Sequence, residues 1–190
     1  IIGSFRSNIT GAAHGKGTIQ ITSGGARCYV STDFSDFEGT LVGSGAELLL
    51  TDKVTDMKRA TLNPTGSCGV SPAASTLSIG TLTSNDKEAA IGGTTVNAGY
   101  LNQDSKFAGI IKCKSFYKYG TGTLTLTGTS STAGIYVKEG ALKLSNISGN
   151  CTSASITVDS GTLTGNGYTQ SILAKNGATI APGNSDSATG

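Results

Sequence analysis

The side chains able to do acid–base or metal chemistry are few and scattered: 12 carboxylates, one histidine and four cysteines in 190 residues. Asp33, Asp36 and Glu38 are the tightest acidic group, and a hard cation such as calcium, which takes several oxygen ligands, is the ion they would suit. The Gly-Gly-x-Gly-x-Asp repeat of calcium-loaded β-rolls is absent, so the three are read as a solvated turn and only weak calcium candidates. Asp52, Lys53, Asp56, Lys58 and Arg59 make up the acid-plus-base set of a polysaccharide lyase, with carboxylates to meet a sugar acid and a basic group to take its proton. No second cluster is set against them, and they read as a charged, solvated insertion. His14, beside Gly15, reads as a turn residue, and neither a Cys-x-x-Cys pair nor a second histidine supplies a zinc site. A nucleophile elbow, a phosphate loop and a dinucleotide fingerprint are all missing. No catalytic residue, metal or cofactor is expected.

Two further sets need weighing. Tyr100, Phe116, Tyr117, Tyr119 and Tyr136 are the material for a sugar-stacking strip, but strand alternation sets Phe116 against Tyr117, and the group is expected to divide between faces. With no Trp in the chain, stacking on carbohydrate is a minor expectation. Asn8-Ile-Thr10, Asn146-Ile-Ser148 and Asn150-Cys-Thr152 match the N-glycosylation pattern, and no role is attached to them.

The elements that would carry these residues are strands. Gly, Thr and Ser make up about two-fifths of the chain and charged residues only 14%, well below the roughly 25% of ordinary soluble domains. A net charge of +2 with clean apolar alternation is not the composition of a disordered chain, and no apolar run is long enough to be a membrane helix. Lys and Arg are too dispersed for a nucleic-acid surface. Thr-rich outer positions alternating with Ile, Leu and Val suit many short strands with one wet face.

One phrase recurs: apolar, any, apolar, two residues, Gly. It is seen at Ile135–Gly140, Ile156–Gly161 and Ile172–Gly177, earlier at Ile19–Gly24, and as an echo at Leu41–Gly45. The glycines Gly24, Gly45, Gly140, Gly161 and Gly177 are read as structural bends between strands. Strand, bend, strand, repeated, predicts a solenoid whose rungs bury their apolar side only by stacking. Phe34 and Phe37 are spaced to plug a corner, and Leu77, Ile79 and Leu82 are placed inward, as are Leu126 and Val137, with Thr125 and Thr127 outward. Asn63–Gly66 and Cys68–Pro72 read as turns, Asn97–Ser105 as a loop, and Thr51–Arg59 as the one place for a short helix. Cys28, Cys68, Cys113 and Cys151 stand about two rungs apart if a rung takes about 20 residues. Two rungs separate neighbours by roughly 9–10 Å, too far for a bridge between successive cysteines. Buried free thiols are the favoured reading, with one bridge at an irregular turn left open.

The expectation is an all-β chain, a single-stranded right-handed parallel β-helix of about eight or nine rungs with at most one short helical insertion near residues 51–59. It spans residues 1–190 as one domain, with more diverged rungs over 1–99 and a regular repeat over 100–190. The chain opens on Ile1-Ile2 without an initiating Met or signal peptide, so a processed protein or a piece of a longer one is expected.

Residues 100–185 resemble a known family. Asp104-Ser-Lys-Phe-Ala-Gly-Ile110, Lys118-Tyr-Gly-Thr-Gly-Thr-Leu-Thr-Leu-Thr-Gly128, Val137–Leu144 and the closing Gly177–Ser185 follow, in order, the elements of the autotransporter-associated β-strand repeat of bacterial surface proteins. Phe34–Gly45 resembles a diverged copy of its earlier rungs. The resemblance implies a right-handed parallel β-helix that is secreted or displayed on a bacterial surface as stalk or passenger scaffold. The four cysteines depart from usual passenger domains and favour related repeats of large surface proteins in Bacteroidetes-like organisms. There Asp186-Ser187-Ala188 resembles a short O-glycosylation sequon.

The functional expectation is a non-enzymatic extracellular scaffold, the stalk of an adhesin, with surface or host glycans or proteins as partners and neither nucleic acid nor membrane insertion. The alternatives are a filament subunit pairing end to end through exposed strands such as Ile1-Ile2, and a β-helix enzyme acting on polysaccharide.

Overall fold

The computed structural model describes residues 2–3, 7–145 and 154–183. They form a right-handed parallel β-solenoid of about eight turns, with no helix among the described residues. Three outer faces run along it. The first carries Thr76–Leu82, Thr95–Ala98, Ser115–Lys118, Gly134–Val137, Ser155–Val158 and Ser171–Ala174, each paired in parallel with the next. The second begins with the leading halves of Thr18–Asp33 and Thr40–Leu50 and the trailing half of Asp56–Thr65. It continues through Ser105–Phe107, Thr123–Leu126, Ala141–Leu144, Gly161–Gly165 and Ala178–Pro182, a separate five-stranded sheet. The third is shorter: Asn8–Ala12, the trailing halves of the two long early strands, Gly69–Pro72, Ala90–Ile91 and Ile110–Ile111.

The early strands are long because they turn corners without breaking. Thr18–Asp33 changes register between Ser23 and Arg27, on either side of Gly24, where it leaves the second face for the third. Ile135 lies opposite Ile156 and Leu142 opposite Leu163, so a rung is 21 residues there, the step on which the stacking argument depended.

Inward positions make one continuous core. Leu41, Leu48, Leu62, Leu77, Ile79, Val96, Phe116, Ile135, Val137, Leu142 and Ile156 are fully enclosed, each stacked on an apolar residue of the next rung. A Leu or Ile buried in this way contributes about 1.5–3 kcal/mol. Leu82 and Leu126 are also inward, and Phe34 and Phe37 close a corner with ring centroids 5.9 Å apart. Thr18, Thr40, Thr61 and Thr81 lie in one register row on four rungs, the first three open to solvent and Thr81 covered.

Four local expectations are corrected. Thr51–Arg59 is a turn at Asp52-Lys53 followed by the strand Asp56–Thr65, because Val54 and Met57 both fill the lumen and Met57 pairs with Ile79. One face of a short helix would leave that rung of the stack unfilled. Asn63–Thr65 is not a turn but the end of this strand, and Gly69–Pro72 is a strand in which Val70 is enclosed. Thr95–Ala98 is a strand that runs into the residues expected to be loop, with Val96 and Ala98 inward.

Gly45, Gly140, Gly161 and Gly177 have φ of +96°, +62°, +114° and +85°, the left-handed region that glycine enters without strain. At Gly140 a second constraint acts, since a Cβ would run into the Gly120 carbonyl oxygen of the rung below. Cys28, Cys68 and Cys113 are buried free thiols, and burial pushes those of Cys68 and Cys113 up to about 11. Cys151, Asn146, Asn150 and Asp186–Ala188 lie outside the described residues.

Candidate functional site

The acidic group at the first corner is occupied by cations of its own chain. Asp36 faces His14 at 3.8 Å and Arg59 at 3.6 Å, and Glu38 pairs with Lys16 at 3.6 Å and with Arg59. Asp33 Oδ1 accepts the Ser35 backbone N–H at 2.9 Å, which holds its carboxyl below the usual range. The lysine–arginine cluster divides at a bulge between Met57 and Thr61. Arg59 swings to the acidic corner, whereas Lys58 lies 3.6 Å from Asp56 and over the Tyr100 ring. The structure does not bring the five lyase-like residues together.

A groove of about 440 Å³ runs along the third face, where the outward residues Gly69, Ser71, Ala90 and Gly92 are small and Glu47, Glu88 and Lys112 border it. Burial pushes the Glu47 carboxyl up, but hydrogen bonds from Ser71 and Arg27 prevail and hold it below the usual range. Arg27 Nε donates to Glu47 Oε2 at 2.5 Å.

Of the five aromatic residues expected to divide between faces, four lie together on the first face. Tyr117 and Tyr136, register partners on adjacent rungs, stack with centroids 4.6 Å apart and planes 13° from parallel. Tyr100 and Tyr119 stack at 5.1 Å and 15°, and Tyr117 and Tyr119 join the two pairs at 6.4 Å. Phe116 is indeed inward, but Tyr117, Tyr119 and Tyr136 share the outward parity, and the φ of +114° at Gly99 turns Tyr100 beside them. Lys58 Nζ stands 5.4 Å from the Tyr100 centroid and Lys138 Nζ 5.5 Å from that of Tyr117. Asp159, on the rung beyond, pairs with both Lys138 and Lys175. The ring faces are therefore turned toward one another and toward ammonium groups, the half-buried rings present edges, and the Tyr100 hydroxyl is engaged with Ser78 and Asn97.

Beneath this strip lies a residue that motif reading missed. Lys118 follows Phe116 by two and so points inward, opposite Ala98 and Val137, only 2% exposed. Its Nζ donates to the carbonyls of Tyr119 (2.8 Å), Gly120 (2.7 Å) and Glu139 (3.2 Å), tying the corner of one rung to the next. Burial pushes its pKa down to about 8, against the pull of Glu139 and Asp104. Period-two alternation is the signal that finds it.

No family model, no curated protein and no solved structure matches the chain.

Proposed function

We propose that this chain is a non-enzymatic structural and display scaffold of a bacterial surface protein, the stalk of an adhesin. The observation that supports it is how its polar groups are spent. Arg27–Glu47, Arg59–Glu38, Lys138–Asp159, Gly66–Asp86 and Thr123–Asp104 each join residues 19 to 21 apart, one rung. Hydroxyl bonds do the same from Thr22 to Ser44 at 2.9 Å, from Thr51 to Ser31 at 3.1 Å and from Ser84 to the Pro64 carbonyl at 2.6 Å. Carboxylates that an enzyme would aim at a substrate are here used to knit neighbouring rungs. Surface location is the expectation carried by the family resemblance. Antibody labelling of intact cells of the source organism tests it, and a chain found only inside those cells removes the proposal.

Self-assembly is the second reading, favoured by the rung Ser171–Pro182. Ile172 and Ile180 continue the core ladder of Ile156 and Leu163, yet they are 48% and 36% exposed, beside Leu173 at 58%. Electron microscopy of the purified chain separates the two, since regular fibres built from it alone replace the plain stalk with a filament.

A further inference from the structure

The tyrosine and lysine strip is more than the knitting of rungs requires, because it groups four phenols on three adjoining rungs with two ammonium groups, that of Lys58 reaching Tyr100 from two rungs before it. We propose that it is a docking face for an acidic polysaccharide, lying along the solenoid axis with its carboxylates against Lys58 and Lys138. This rests on the display-scaffold reading and gives it a partner.

The chemistry of the strip selects among polymers. Strand addition by a peptide needs an open sheet edge, and Ser115–Lys118 is paired on both sides, with Thr95–Ala98 and with Gly134–Val137. Nucleic-acid bases and neutral sugars stack on open ring faces, but these rings cover one another at 4.6 and 5.1 Å, and lysines stand over Tyr100 and Tyr117. What remains outward is ring edge, carrying partial positive charge, while the Tyr100 hydroxyl is engaged with Ser78 and Asn97. A positive ring edge suits an anion or a carboxylate oxygen. The charges point the same way: Asp159 is shared by Lys138 and Lys175, leaving one cation in excess, and Lys58 is matched by Asp56 only at 3.6 Å. One group recurring at the rung spacing suits a polymer of identical units better than a folded protein surface.

Calorimetric titration of the purified chain with polygalacturonate, a neutral glucan of similar length and inorganic polyphosphate tests the proposal, with circular dichroism to verify each variant's fold. The expected result is binding of polygalacturonate alone, weakened by added salt and lowered about tenfold, roughly 1.4 kcal/mol, in Lys138→Gln and Lys58→Gln. Lys143→Gln, on the second face, should bind as the parent does. The proposal is overturned by no binding, by equal binding of the glucan or polyphosphate, or by an equal loss in Lys143→Gln. If one strip variant does not fold, the other decides. Release of unsaturated sugar ends, read by ultraviolet absorbance, would overturn the non-enzymatic scaffold while leaving the docking face standing. Absence of binding alone removes only the docking face.

Discussion

Lys118 brings a charge into a core that otherwise excludes it, and the consequence can be read in pH. Its folded pKa, about 8, lies below the ordinary 10.5, so between these values the unfolded chain holds the proton that the folded chain has released. Stability contributed through this group therefore rises as pH goes from about 8 to about 10.5, by up to about 3 kcal/mol, and is constant below. Urea unfolding of the parent and of Lys118→Met across that range should give a difference with this slope, and a flat difference would show that the three carbonyls hold the ammonium as well as water does. The cysteines belong to the same scale. With Cys28, Cys68 and Cys113 buried and free, a thiol reagent should modify those three only on unfolding, and modification in the native chain as fast as in urea would contradict their burial.

At the scale of the element, each rung is a strand, a bend and a strand, and inward and outward positions differ sharply in cost. Leu142→Ala empties a fully enclosed site and should cost about 2–5 kcal/mol, whereas Thr125→Ala on the wet face should stay within about 0.5 kcal/mol. Equal losses would mean the inward and outward faces are one residue out of register. The bends are graded too. Gly177→Ala meets only the φ penalty, of order 1 kcal/mol, since nothing lies within 4 Å of the new methyl. Gly140→Ala meets that penalty and the Gly120 carbonyl as well, so its denaturation midpoint should fall further.

The whole molecule is close to one-dimensional, since each rung packs only on its neighbours. Stability is then a sum of rungs and interfaces, and damage should stay local. Ile135→Asp places a charge in the core between Phe116 and Ile156, and hydrogen exchange should lose protection over the rungs near it while Thr18–Asp33 and Thr40–Leu50 keep theirs. Uniform loss along the chain would instead make the solenoid one cooperative unit.

Alternation and the Gly phrase were enough to derive the solenoid, the 21-residue rung from Ile135 to Ile156 and the inward set of Leu77, Ile79, Leu126 and Val137, because these follow from a period-two backbone that must stack to bury its apolar side. The same rule gives Lys118 its inward parity, a consequence that motif reading missed, and its carbonyl cage depends on where the Glu139 corner comes to lie. Pairing across rungs was not legible. The local pattern at Thr51–Arg59 fits a helix or a strand, and only Ile79 opposite Met57 decides for the strand. The tyrosine strip likewise required register, since Tyr117 meets Tyr136, 19 positions further on, and Tyr100 reaches Tyr119 only by the left-handed turn at Gly99. A side chain's parity is a property of its own strand and is written locally. Its partner is set by rung length and corner geometry, which exist only once the turns have closed.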